Sequence, residues 1–133
     1  MKRVFMIISI LGLMSFGALV ISQDKDCKAD VPFQLQFDKH LKRLSNFALV
    51  DFGSEEVDSV LVSVGFLNAV TEIQSQIYLG DVVVYGRKEF RQDRKKWLKW
   101  YKENRCAINL VKADSLLKVN TDLRPDYSKG RKD

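Results

Sequence analysis

Histidine, cysteine and grouped carboxylates are the side chains with which a small domain most readily does chemistry, and this chain holds few of them. His40 is its only histidine, and Cys27 and Cys106 are its only cysteines. An imidazole works as a base beside a nucleophile and an orienting acid, and no motif singles out a serine as its partner. His40 falls at the edge of an apolar helical face, where packing or surface exposure is its expected role. A zinc site of ordinary type needs several histidines or cysteines, and the two cysteines lie far apart in the chain. Asp51, Glu55, Glu56 and Asp58 form an acidic cluster. It lacks the alternating oxygen ligands of an EF-hand, and acidic charge at a helix start accounts for it. Asp51-Phe52-Gly53 spells the kinase magnesium tripeptide, but a chain of 133 residues with no glycine-rich loop, lysine strand or catalytic loop is no kinase. There is no P-loop, dinucleotide fingerprint or G-x-S-x-G. The expectation is a chain without catalysis and with no metal or cofactor.

The other chemically distinctive stretch is Arg87–Arg105, which carries nine basic and three acidic residues together with Trp97, Trp100 and Tyr101. At 100° per residue, Phe90, Arg94, Trp97, Tyr101 and Asn104 share one stripe, with Leu98 and Trp100 at its flanks. Lys88, Arg91, Lys95, Lys99 and Lys102 lie on the far side. Nucleic-acid platforms present aromatics and cations on one accessible surface. Here the two are segregated, so no nucleic-acid partner is expected. Phe90, Trp97, Trp100 and Tyr101 are expected to form a core stripe, and the five cations a solvated face open to contact. Trp100 sits at the rim beside Lys96, where an indole could reach a ligand. A basic amphipathic helix of this kind can also lie on an anionic membrane or envelope polymer.

The elements that hold these residues can be read from periodicity. Asp30 before Pro32 marks a helix start, and Phe33, Phe37, His40, Leu41, Leu44 and Ala48 recur at spacings of three and four, which predicts a helix over Pro32–Ser45. Asn46–Gly53 reads as a break whose Phe47, Leu49, Val50 and Phe52 pack on the core. Ser54 as N-cap, with Glu55 and Glu56 in the first turn, predicts a second helix over Glu55–Glu72. Val57, Val60, Leu61, Val64, Leu67 and Thr71 line one of its faces, while Val62, Phe66 and Val70 line the other, the pattern of a central helix covered on both sides. Residues 81–85, between two glycines, read as a short strand with no evident partner or as an ordered loop. The tryptophan helix spans Lys88–Asn104, and Ala113–Val119 forms a short final helix with Leu116 and Leu117 inward. The expected fold is mainly all-α, a small bundle of three to four helices.

Phe66-Leu67-x-x-Val70-Thr71-x-Ile73, then Gly80 and Gly86, then Asp93-x-x-x-Trp97-x-x-Trp100-Tyr101-x-x-Asn104, resembles a pattern of uncharacterised small exported bacterial proteins. It is also similar to the L-T-G … G … D … W-x-x-W-W/Y-x-x-N segment of bacterial HEAT-like helical-repeat proteins. The likeness covers residues 66–105. It implies a HEAT-like helical pair used for packing or protein contact, and it carries over no catalytic residue. The chain departs from the pattern at Glu72, where glycine is usual, which leaves the form of the turn after Thr71 open.

Location follows from the N-terminus. Lys2 and Arg3 precede the uncharged apolar run Val4–Ile21, and Val20 and Ser22 are small enough for signal-peptidase subsites. Residues 1–22 are expected to be a signal peptide, with an uncleaved anchor as the alternative. Its removal takes Lys2 and Arg3 and lowers the formal charge from +5 to +3, a mild balance that permits weak attraction to anionic surfaces. In an oxidising compartment, two cysteines in a small domain most simply pair. Two free thiols are the alternative, while the charged Asp24-Lys25-Asp26 argues against a lipobox at Cys27. Residues 23–121 make the helical domain and 122–133 a flexible basic tail. Together these features point to an exported, periplasmic or secreted module for protein–protein or structural association in the cell envelope. The alternative is a binder of anionic envelope polymer or membrane surface through the basic face of the tryptophan helix.

Overall fold

The computed structural model describes residues 27–50, 56–80, 82–123 and 125. The expected signal peptide and nearly all of the expected tail lie outside the described residues. Among the described residues, four α-helices and one small antiparallel hairpin make up the fold, which is the mainly helical class implied by the periodicity.

Helix α1 (Val31–Ser45) is capped by Asp30, whose Oδ1 accepts from the Phe33 N–H at 2.8 Å. It runs one residue earlier than the sequence implies, because the proline occupies the first turn, where its missing N–H is no loss. At its end the helix does not break. It widens into a π turn over Asn46–Val50 that brings both Phe47 and Ala48 into the core. Val50, expected to pack, stays 74% exposed.

Helix α2 (Val57–Thr71) is the central element and packs on α1, α3 (Arg87–Asn104) and α4 (Leu110–Val119). Phe66 and Val70 on one side, and Val60, Val64 and Leu67 on the other, are all buried. Val57 and Val62 are exceptions to the two-sided pattern, 42% and 62% exposed. Ser63, Gly65 and Ala69 keep the helix slim enough for close neighbours. Its start is later than expected. Glu56 holds the N-cap position without a side-chain cap, and Asp58 is the acidic residue of the first turn. Ser54 and Glu55 lie outside the described residues.

Between α2 and α3, β1 (Tyr78–Leu79) pairs with β2 (Val83–Val84), Tyr78 opposite Val84. The strand expected near 81–85 therefore has a partner, supplied by a polar–apolar stretch too short to show alternation. Tyr85 follows directly and is buried.

The buried stripe of α3 keeps the expected Phe90 and Trp97 but runs through Asp93 in place of Arg94. Asp93 is fully buried while Arg94 is exposed. Phe90 and Trp97 are buried and Trp100 and Tyr101 half-buried. Rings of α1 and α3 interleave: Phe37 lies 4.9 Å from Tyr101 and 6.4 Å from Trp100, and Phe33 lies 6.2 Å from Tyr101. Such pairs add about 0.5–1.5 kcal/mol each beyond area burial. The Trp97 Nε1–H is buried without a partner, a loss of about 1–3 kcal/mol that the burial of the whole indole outweighs.

Cys27 and Cys106 form a disulfide with Cα atoms 5.5 Å apart and a separation of 79 positions in sequence. It fastens the lead into α1 to the turn between α3 and α4. Closing so long a loop stabilises by about 4 kcal/mol in the chain-entropy model. Helix α4, capped by Asn109, buries Ala113 and half-buries Leu116 and Leu117. Beyond it, Thr121–Leu123 form a 3₁₀ turn held to α2 by Asn68, whose Nδ2 donates to the Leu123 carbonyl at 3.2 Å.

The turn after Thr71 takes the conformation that glycine favours. Glu72 has φ 58° and ends α2 in the left-handed region. For a residue with a Cβ this costs about 1–2 kcal/mol, and its carboxylate recovers only a 3.3 Å bond from Asn120. Glu72→Gly is expected to raise the unfolding free energy by about 0.5–1 kcal/mol, the strain relieved less the extra chain entropy of glycine. Urea denaturation measures it, and an unchanged or lowered midpoint would count against a strained turn.

Candidate functional site

Three polar or charged features stand out from the packed interior: a buried carboxylate, a groove with the histidine in its wall, and the outer face of α3.

The carboxylate is Asp93. Its Oδ2 accepts from the Gln76 backbone N–H at 2.6 Å and from the Tyr85 hydroxyl at 2.7 Å. Its Oδ1 accepts from Gln76 Nε2 at 3.1 Å, and the Lys96 ammonium lies 3.7 Å away. Burial, and then Asp93 itself, raise the Tyr85 pKa, so the phenol stays protonated and donating. Every donor comes from the chain itself, from the loop before the hairpin, the residue after it, or α3. The cluster ties the hairpin to the helix, and both carboxylate oxygens are engaged by groups of the chain. Its sequence signal is the spacing Phe90–Asp93–Trp97, three and then four residues, which puts the carboxylate on the buried stripe.

The groove has a volume of about 560 Å³ and runs between α1, α2 and α4. Leu61, Val62, Gly65 and Phe66 of α2 form its floor, Leu117 and Pro125 one side, and Gln36 and His40 the other, with Asp58 at one end. His40 is 7% exposed and stacks on Phe66 with centroids 4.3 Å apart. Its Nδ1 lies 3.0 Å from Ser63 Oγ, and that hydroxyl donates to the Ser59 carbonyl at 2.9 Å. With the serine proton so engaged, the imidazole is the donor to Ser63, which puts the ring proton on Nδ1 and leaves Nε2 an acceptor. Burial, with Arg43 and Lys39 adding positive charge, lowers the His40 pKa to about 4. The imidazole is neutral at pH 7. The pair holds a ring in place but does not aim a hydroxyl at it, which is the reverse of a serine nucleophile activated by histidine.

On the outer face of α3, Lys88, Arg91, Lys95, Lys99 and Lys102 are all exposed. Lys99 pairs with Glu103 at 3.9 Å, a surface contact worth about 0–1 kcal/mol that leaves the lysine available. Trp100 does not join this face. It lines a separate hollow of about 180 Å³ with Asn104, Glu72 and Lys112, and none of the five cations borders that hollow. Among the described residues no group of histidines, cysteines and carboxylates is placed to hold a metal ion. No described helix is long and apolar enough to cross a membrane.

Comparison with family models, with curated proteins and with solved structures finds no match for the chain.

The buried neutral histidine makes stability depend on pH. In the unfolded chain an imidazole takes its proton near 6.5, whereas in the folded chain it resists until about 4. Between those values the unfolded state binds the extra proton, so the contribution is complete above 6.5 and is lost as pH falls towards 4. The loss approaches about 3 kcal/mol at 1.36 kcal/mol per pH unit. Denaturation at pH 7 and at pH 4.5 should show the fall in the native chain and a smaller one in His40→Gln. Equal falls in both would mean the imidazole titrates normally.

Proposed function

We propose that the chain is a small exported, non-catalytic helical module that associates with a protein in the cell envelope through the basic face of α3, the partner's surface being acidic. One observation carries this reading: Lys88, Arg91, Lys95, Lys99 and Lys102 stand exposed on one side of α3 while Phe90 and Trp97 are buried on the other. The cation row runs 14 residues, or about 21 Å at the helical rise, the reach of one helix-sized docking surface. Packing of the aromatics fixes the helix in rotation, so the row is presented as a rigid array, which favours a specific partner over loose attraction. The Cys27–Cys106 bridge supports export, because disulfides persist in oxidising compartments. A HEAT-like role in protein contact is in keeping with the helical pair α2–α3, on either side of the Glu72 turn.

A second reading uses the same face on an anionic envelope polymer. The regular spacing of the cations, at three and four residues with one carboxylate in reach of Lys99, favours it. A membrane anchored by Trp100 has less support, since that indole is half-buried against Phe37.

The purified chain is expected to be retained on isolated envelope fractions at low salt and released as salt rises. Lys95, Lys99 and Lys102 changed together to glutamate should abolish retention while leaving the helical circular dichroism intact. Protease treatment of the envelope separates the two readings. Loss of retention supports a protein partner, and its persistence supports the polymer. Retention unaffected by charge reversal would contradict both.

A further inference from the structure

We propose that the groove between α1, α2 and α4 is a docking site for the chain's own C-terminal segment, residues 126–133, with Tyr127 as the side chain it receives. This is independent of the envelope-binding reading and concerns a different face of the molecule.

Four observations converge. The groove is apolar along Leu61, Val62, Phe66 and Leu117, and at about 560 Å³ it has room for an aromatic side chain. Pro125 already forms part of its wall, and Asn68 holds the 3₁₀ turn just before it to α2. The chain is therefore delivered to the rim. Tyr127 is two residues further on, so its Cα stands within about 7 Å of that of Pro125 whatever the backbone does. A tether so short gives an effective concentration in the millimolar range or above, so weak contacts suffice. The chemistry also matches. Tyr127 is the one large apolar residue of Asp126–Asp133, and the rest of that segment is polar or charged. The neutral imidazole of His40, a residue of the groove wall, has its proton turned towards Ser63, which leaves Nε2 as the acceptor of the ring. A tyrosine supplies what such a site lacks, a ring to cover Phe66 and Val62 and a hydroxyl to donate. Lys129, Arg131 and Lys132 follow, and Asp58 at the end of the groove is the countercharge for one of them.

The docked segment would cover Val62, which otherwise stands 62% exposed on the central helix. It also assigns a role to a buried histidine that the α3 face does not use.

Proton NMR on the full chain with its disulfide intact tests this without any variant. Nuclear Overhauser contacts between the Tyr127 ring and the methyl groups of Val62 and Leu117 are expected. Tyr127→Ala should shift those methyl resonances and leave those of Val70 and Ala113, away from the groove, in place. Absence of the contacts, with methyl shifts unmoved by Tyr127→Ala, would overturn the proposal. So would contacts that arise only between chains in a mixed isotope-labelled sample, since they would make the occupant a second copy.

Discussion

A single buried carboxylate decides how α3 sits. Asp93 is fully enclosed, and it is accepted there because a backbone N–H, an amide, a phenol and an ammonium converge on its two oxygens. An ionised group with fewer partners would be too costly to bury. The cluster thus does two things at once. It pins Gln76 and Tyr85, at either end of the two-stranded hairpin, to the helix, although such a hairpin has little stability of its own. It also sets the rotation of α3, since turning the helix would pull the carboxylate out of that ring of donors. Phe90 and Trp97, three residues before it and four after, are buried by the same setting.

What the helix offers to the outside follows from that rotation. With Phe90, Asp93 and Trp97 inward, Lys88, Arg91, Lys95, Lys99 and Lys102 have no direction but outward. The aromatic mass and the positive charge that coincide in the sequence part company in space. Trp100 and Tyr101 remain at the seam, held by the rings of α1. The disulfide closes the same end of the molecule, where the lead to α1 meets the exit of α3. The module is accordingly a rigid plate of charge backed by a packed core. The groove on the other flank, with its neutral imidazole, is chemically a different surface.

Much of this was legible in the residue pattern. The apolar periodicities located four helices, the two-sided pattern marked α2 as central, and the pair of cysteines in a small domain implied the bridge. The failures share a physical cause, which is that pattern reading treats polarity as exposure. Asp93 and Ser63 are buried in good part because Gln76 and His40, 17 and 23 residues away in sequence, meet them, and no short window around either residue contains those two partners. Arg94 was placed on the buried stripe by angle alone, whereas its guanidinium lies exposed to solvent. The strand partner Tyr78–Leu79 was too short to carry alternation. The π turn at Asn46–Val50 is a backbone solution to burying two adjacent residues, Phe47 and Ala48, for which side-chain periodicity has no mark. Glu72 shows the converse. Comparison with a glycine-bearing pattern flagged the position, and the backbone there does take the glycine-like conformation.

The claim on which the rest stands is that Asp93 and Tyr85 hold α3 and the hairpin as one unit. A double-mutant cycle on unfolding free energy, with Asp93→Ala, Tyr85→Phe and the pair, isolates that contact. A coupling of about 1.5–3 kcal/mol, the range for a hydrogen bond to a charged group, is the expected result. Effects that add within about 0.5 kcal/mol would contradict it, and with it the account of why the basic face points where it does.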